Sequence, residues 1–367
     1  MRQLGISLYP EKSELSRDIE YLKAAQSLGF SRVFISFLQL IFIDKEILLP
    51  KYRAIIKEAN TLGYDVFVDV APFVYKILGI EPKNLEYFHE MGIKGLRLDT
   101  GFSLAENSEL TQNTLGMTIE INMSINDGML EQLLRYKPNS DQLVGCHNFF
   151  PQRFSGLSID QFIETSKRFR HANLKTAAFI TSLEGEIGPW PLQEGLCTLE
   201  IHRDIPVDTQ VKWLKQSGLI DDIIVGNAYA SMQELEMISK AFFSPIIELE
   251  IENGNGPMIS DVERELLGRN HEYRADCSDY MIRSSNARFL YFKTSIPWNG
   301  QRPQTIERGD ILILNEGYQQ YKAEVQIALK TRPYDERINV IGRLRDDQFI
   351  LLDQLGPLDH FTFRIND

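Results

Sequence analysis

Cysteine is scarce in this 367-residue chain: Cys146, Cys197 and Cys277 are odd in number and lack the close spacing of metal ligands. A disulfide framework is therefore excluded as the organising device, and buried thiols in a reducing compartment are expected. Basic tracts are missing too. Lys and Arg total 39 against 51 Asp and Glu, for a formal charge of −12. That balance argues against nucleic acid or an anionic membrane as the main partner, because phosphate-rich surfaces are held by clustered cations. The most apolar stretch, Phe34 to Ile43, is about half of a membrane span. The opening MRQLGISLYPEKSEL carries no apolar signal core. The expectation is a cytoplasmic protein with neither membrane nor nucleic-acid partner.

What is present is globular: 43% hydrophobic and 25% charged residues, in a chain longer than one typical domain. The first two thirds alternates short apolar runs with amphipathic helical patterns. Strands are predicted at 2–9, 31–37, 64–71, 93–99, 116–123, 142–149, 174–181 and 221–228. Helices are predicted at 15–28, 47–62, 84–91, 127–136, 159–171, 206–217 and 231–241, several closed by glycine. Near-continuous apolar strands imply burial on both faces, so eight β/α units predict a (β/α)8 TIM barrel over residues 1–245. An open doubly wound sheet is the weaker reading, since no GxGxxG turn follows the first strand.

After Phe243 the pattern changes. Runs at 279–285, 287–294, 309–315, 323–329, 338–344 and 348–355 predict a smaller all-β domain over 246–367, with ENGNGP (252–257) near the seam. Arg283 and Tyr321 to Glu324 read there as ordinary strand positions, with a lid or substrate-recognition role as the alternative.

Chemistry in such a barrel gathers at the carboxyl ends of the strands. The polar residues at those ends are Tyr9, Ser36, Asp69, Arg97, Asp99, Glu120, Asn122, His147, Asn148, Thr181, Glu184 and Asn227. Four of them are carboxylates, and a glycosidase needs two flanking one bond, one protonated and one ionised. Asp99 and Glu120, on neighbouring strands, are the first pair, with Asp69 and Glu184 as substitutes. The same acids with His147 could instead hold a divalent metal, though no HxH or HExxH spacing occurs. The sixth loop, CHNFFPQRFSGLS (146–158), offers Arg153 for a phosphate and Phe149, Phe150 and Phe154 as walls. The seventh loop runs about 24 residues and carries Trp190 between two prolines, then His202 and Arg203 as a second candidate phosphate site.

The segments LGISLYPEKSE, GLRLDTGF (95–102), IEINMS (119–124), CHNFFPQRFSGLS, AAFITSLEGEIGPWPLQEGLCTLEIHR (177–203), LIDDIIVGNAYAS (219–231), DYMIRSS and Tyr321 to Leu329 resemble the bacterial 6-phospho-N-acetylmuramidases of glycoside hydrolase family 170, long filed as outer surface proteins of unknown function. The resemblance spans essentially the whole chain. It implies a TIM barrel followed by a cyclophilin-like β-barrel, and cytoplasmic, cofactor-free hydrolysis of the β-1,4 bond in 6-phospho-N-acetylmuramyl-N-acetylglucosamine during peptidoglycan recycling. One departure is FISFLQLIFIDKEI (34–47), where an apolar second loop could alter access to the mouth. Under that reading Arg97, Asn122, His147, Asn148, Arg153, Trp190, His202, Arg203 and Asn227 are expected to contact substrate. The substrate's own N-acetyl group is an alternative nucleophile. Two rivals come from other classes: a non-enzymatic module that binds a wall fragment or sugar phosphate, and a metal-dependent sugar-phosphate isomerase or lyase.

Overall fold

A computed structural model describes residues 2–192, 194–252 and 258–366. The chain separates into two compact units, Met1–Phe242 and Phe243–Asp367. Most of the expected seam motif, residues 253–257, lies outside the described residues. No helix among the described residues is long and apolar enough to cross a membrane.

The first unit is a closed parallel barrel of eight strands in sequential order. They are β1 (Leu4–Leu8), β2 (Phe30–Ser36), β3 (Asp65–Val70), β4 (Gly95–Leu98), β5 (Thr118–Asn122), β6 (Leu143–Cys146), β7 (Lys175–Ile180) and β8 (Asp222–Val225). Closure is made by β1 against β8, with Leu4 opposite Ile223. Each strand lies inside its predicted run or within one residue of it. Two helices, Pro72–Leu78 and Leu104–Thr111, are additional to those predicted from the sequence. The first begins on a proline and ends on Gly79 in the left-handed region; the second starts from a reciprocal Ser103–Glu106 cap. Both are too short to show a helical period against the background of their loops.

Inside the barrel, Phe34, Cys146, Ala177, Phe179 and Ile224 form one cluster, drawn from β2, β6, β7 and β8. Alternate strand residues point inward, which sets Ser36, Asp69, Arg97 and Glu120 beside one another in register across β2 to β5. Gly95 matters here, because a Cβ at that position would meet the Phe67 ring at 2.3 Å.

The second unit is built on a nearly closed, barrel-like mixed sheet of seven strands. Their order is His271–Glu272, His360–Asn366, Ile247–Glu252, Ile338–Leu344, Asp310–Leu314, Val325–Ala328 and Met281–Ser284. Only the pair Ile247–Glu252 and His360–Asn366 is parallel within this sheet. Two predicted strands differ. Residues 287–294 form turns with Phe289, Leu290 and Phe292 exposed, so their apolar character has no sheet face behind it. Residues 349–352 are a helical turn, Phe349–Leu352, in keeping with burial of Leu351 and Leu355 four positions apart.

Candidate active site

The charged residues of the barrel interior fall into a lower and an upper group. In the lower group, Arg32 bonds Asp222 at 2.9 Å and pairs with Glu120, while its guanidinium lies 3.8 Å above the Phe67 ring centre. Arg97 approaches the other oxygen of Glu120, Nε to Oε1, at 3.7 Å. Arg32 and Glu120 have no solvent exposure. Two guanidiniums and two carboxylates thus neutralise one another beneath the mouth. Glu120 belongs to this sealed layer, one inward step below Asn122.

The upper group is different. Asp69 is buried, and its Oδ1 accepts the Phe37 N–H at 3.1 Å. Burial pushes its pKa up to about 6, helped by Asp99 and opposed by Arg97 and by hydrogen bonds from Ser36 and the Phe37 amide. Asp99 follows β4, half-buried, with its amide bonded to the Val70 carbonyl at 2.9 Å. Arg97 reaches up from β4 to the side-chain oxygen of Asn148. Asn148 is in turn fixed by its amide to Ser124 Oγ at 2.8 Å, and Asn122 accepts the Ser124 amide at 2.8 Å. Asp69, Asp99, Arg97, Asn122 and Asn148 are therefore brought together at one end of adjoining strands β3 to β6.

A further acid joins them that the strand-end rule did not single out. Glu11 stands in the turn after β1, two residues beyond Tyr9. Both its carboxylate oxygens are buried, and neither accepts a hydrogen bond from another residue. Burial first, then the charges of Asp69 and Asp18, push its pKa up to about 7, against the pull of its own backbone amide and Lys12. The visible signal is its place in the first βα loop, two residues beyond the strand-end Tyr9.

Other expected residues are held elsewhere. His147 is the outward neighbour of inward Cys146, so it enters the helix layer. There it bonds Ser124 at 3.2 Å and Ser166 at 2.9 Å and stacks on Phe162. Burial lowers its pKa to about 3. His202 is also fully buried, edge-on to Trp213, with its pKa lowered by burial to about 3. Arg203 is saturated: it grips Glu200 at 2.7 and 2.6 Å and the carbonyls of Phe150 and Glu194 at 3.0 and 2.7 Å. Glu200 also accepts the amides of Phe154 and Gly156. Arg203, then burial in opposition and these two amides, leave its pKa at about 2. The Glu200–Arg203 pair is a staple that ties the sixth and seventh loops together.

Near that staple lies a polar cavity of about 170 Å³, lined among others by Arg153, Ser182, Glu194, Asp204 and Asn227. Asn227 shapes it from the loop after β8 by bonding the Ser182 amide and carbonyl, each at 2.8 Å. Arg153 meets Asp204 in a fork, at 2.5 and 3.0 Å, on a partly exposed surface. Trp190 is 41% exposed on the same seventh loop, and Glu184 is exposed. Among the described residues, no three His, Cys, Asp or Glu side chains converge as a metal-binding group.

Two family models match the chain: the N-terminal domain of 6-phospho-N-acetylmuramidase over residues 4–240 and its C-terminal domain over 247–364. Among solved structures, the chain is similar to an uncharacterized B. cereus protein, with 38% identity, 99% of each chain covered and a TM-score of 0.87. It is also similar in fold to a conserved Enterococcus faecalis protein of unknown function, with 22% identity, 99% and 96% coverage and a TM-score of 0.76. No curated protein sequence matches it. With both domain models matched in order over nearly its whole length, the chain belongs to the 6-phospho-N-acetylmuramidase family, a family of glycosidases.

Proposed function

We propose that the protein hydrolyses the β-1,4 bond of 6-phospho-N-acetylmuramyl-N-acetylglucosamine, as a cytoplasmic step of peptidoglycan recycling. The observation that carries this reading is a glycosidase-family barrel whose rim holds carboxyls that lack full pairing, above a floor where every charge is matched. Hydrolysis by two carboxyls needs only water as co-reactant: one gives a proton to the leaving oxygen while the other acts at the anomeric carbon. Asp69 and Asp99, at the ends of neighbouring strands, are the acids we assign to the anomeric carbon, with Arg97, Asn122 and Asn148 as polar groups for the sugar. Trp190 offers a rigid ring for a sugar face. The cyclophilin-like unit is assigned no chemical step.

Arg153 is the cation we assign to the 6-phosphate. Its fork to Asp204 is partly exposed and screened by solvent, so exchange of a carboxylate for a phosphate is inexpensive. Arg203 cannot be exchanged without opening the staple.

The test is direct incubation with the phosphorylated disaccharide and its unphosphorylated counterpart, following monosaccharide release by mass spectrometry. Cleavage confined to the phosphorylated substrate, unchanged by chelator, is expected. Stoichiometric binding without release would overturn the reading in favour of a binding module. Arg153→Ala is expected to raise KM by about tenfold or more while kcat stays within about threefold, the mark of lost uniform binding.

A further inference from the structure

Glu11 is placed as a reacting group rather than as a structural acid. The turn that carries it is braced on every side. The Lys12 amide bonds the Tyr9 carbonyl at 2.8 Å, and the Lys12 ammonium is spent on the Gly188 carbonyl at 2.6 Å. Ser13 Oγ bonds the Tyr9 carbonyl at 3.1 Å and Asp18 at 2.7 Å, and Lys51 reaches the Pro10 carbonyl at 3.3 Å. Tyr9 is committed to the Gly226 carbonyl at 2.5 Å and Tyr52 to the Ser36 carbonyl at 2.7 Å. Tyr52 feels the charge of both Glu11 and Asp69, so the two carboxyls flank one buried phenol. These polar groups of the turn are thus each bonded, whereas the Glu11 carboxyl takes no hydrogen bond from any other residue. A structural carboxylate in such a place would be bonded, since an unpaired buried charge costs several kcal/mol.

We propose that Glu11 is the catalytic proton donor to the glycosidic oxygen, leaving Asp69 and Asp99 to the anomeric carbon. This rests on the hydrolase reading above. The C–O bond to the leaving sugar breaks as its oxygen takes both bonding electrons and the Glu11 proton, so the leaving sugar departs as an alcohol. Water adding at the anomeric carbon supplies the new hydroxyl and gives its second proton to a neighbouring carboxylate; Glu11 is then reprotonated from solvent. With its pKa pushed up to about 7, about half of the group is still in the acid form near neutrality.

Leaving-group dependence tests this. Glu11→Gln is expected to lower kcat on the phosphorylated disaccharide by about 10²–10⁴-fold. On a para-nitrophenyl glycoside of 6-phospho-N-acetylmuramic acid, whose leaving group departs without protonation, the loss is expected to stay below about tenfold. Equal losses on both substrates, or no loss on either, would overturn the assignment. Wild-type protein that cleaves neither substrate would instead sink the hydrolase reading, and the proposal with it. Thermal melts of Glu11→Gln and Glu11→Asp beside wild type separate lost chemistry from lost folding: a cooperative transition at or above the wild-type temperature is expected for the Gln variant. If Gln unfolds, the same substrate ratio is read on Asp.

Discussion

The floor and the rim of the barrel use the same residue types to opposite ends. On the floor, Glu120 and Asp222 share Arg32, and Arg97 closes over the free side of Glu120. On the rim, Asp69 receives one backbone amide and a serine, and the Glu11 carboxyl receives no hydrogen bond from any other residue. Both groups are taken out of water. The floor offsets that cost by pairing, whereas the rim leaves it outstanding, and the pKa values of Asp69 and Glu11 climb as a result. Acids whose desolvation is not offset are poised to exchange protons, which is why rim and floor must not be interchangeable.

Removing a floor acid should therefore cost stability. Glu120→Ala strands Arg32 beside a single counter-ion and opens a void, and a loss of about 3–5 kcal/mol is expected from denaturant midpoints. A loss below about 1 kcal/mol would show that the floor is not held by its charges. Asp69→Asn is expected to do the reverse: kcat falls by about 10²–10⁴-fold while the unfolding free energy holds or rises. Equal damage to folding and turnover in both variants would erase the distinction between the layers.

The pH dependence sharpens it. A carboxyl whose pKa rises on folding holds its proton more tightly in the folded chain. Its contribution is neutral below the ordinary values of 3.8 for Asp and 4.5 for Glu, and it turns against folding as pH climbs towards 6 for Asp69 and 7 for Glu11. Wild-type stability should fall between about pH 4 and pH 7.5 from these two groups. Glu11→Gln should remove on the order of 3 kcal/mol of that fall, measured as unfolding free energy at the two ends. An unchanged slope would mean that Glu11 ionises as freely as in the unfolded chain.

The barrel was legible because each strand is a compact apolar run with turn residues behind it, and the rim was legible because strand ends could be counted. Depth and parity were not. His147 differs from Cys146 by one position, yet that step turns it from the cavity into the helices, where serines from two other segments receive it. Glu120 and Asn122 share a face, but only the distant Arg32 shows that the first belongs to the floor. Arg203 reads as a phosphate ligand because two of its partners, the carbonyls of Phe150 and Glu194, carry no side-chain signal. In the second unit, the alternating IELEIE (247–252) lies just before the glycine-bearing ENGNGP and is a central strand that the sequence reading does not include.

The smallest expected effect concerns His202, which resembles the rim in lacking partners and the floor in being sealed. Neither ring nitrogen has a hydrogen bond, and the ring packs edge-on against Trp213 at 5.3 Å. With its pKa lowered to about 3 by burial, it stays neutral at working pH and offers a phosphate no charge. An unpartnered buried polar group costs about 1–3 kcal/mol, so an apolar ring of similar shape should fold as well or slightly better. His202→Phe is expected to shift the unfolding free energy by no more than about 1 kcal/mol, in either direction, once the small gain in volume is set against the relief. KM for the phosphorylated disaccharide should stay at the wild-type value. A rise in KM of about tenfold with stability intact would place His202 among the phosphate ligands, and would mean that burial without partners marks the site even where no acid is involved.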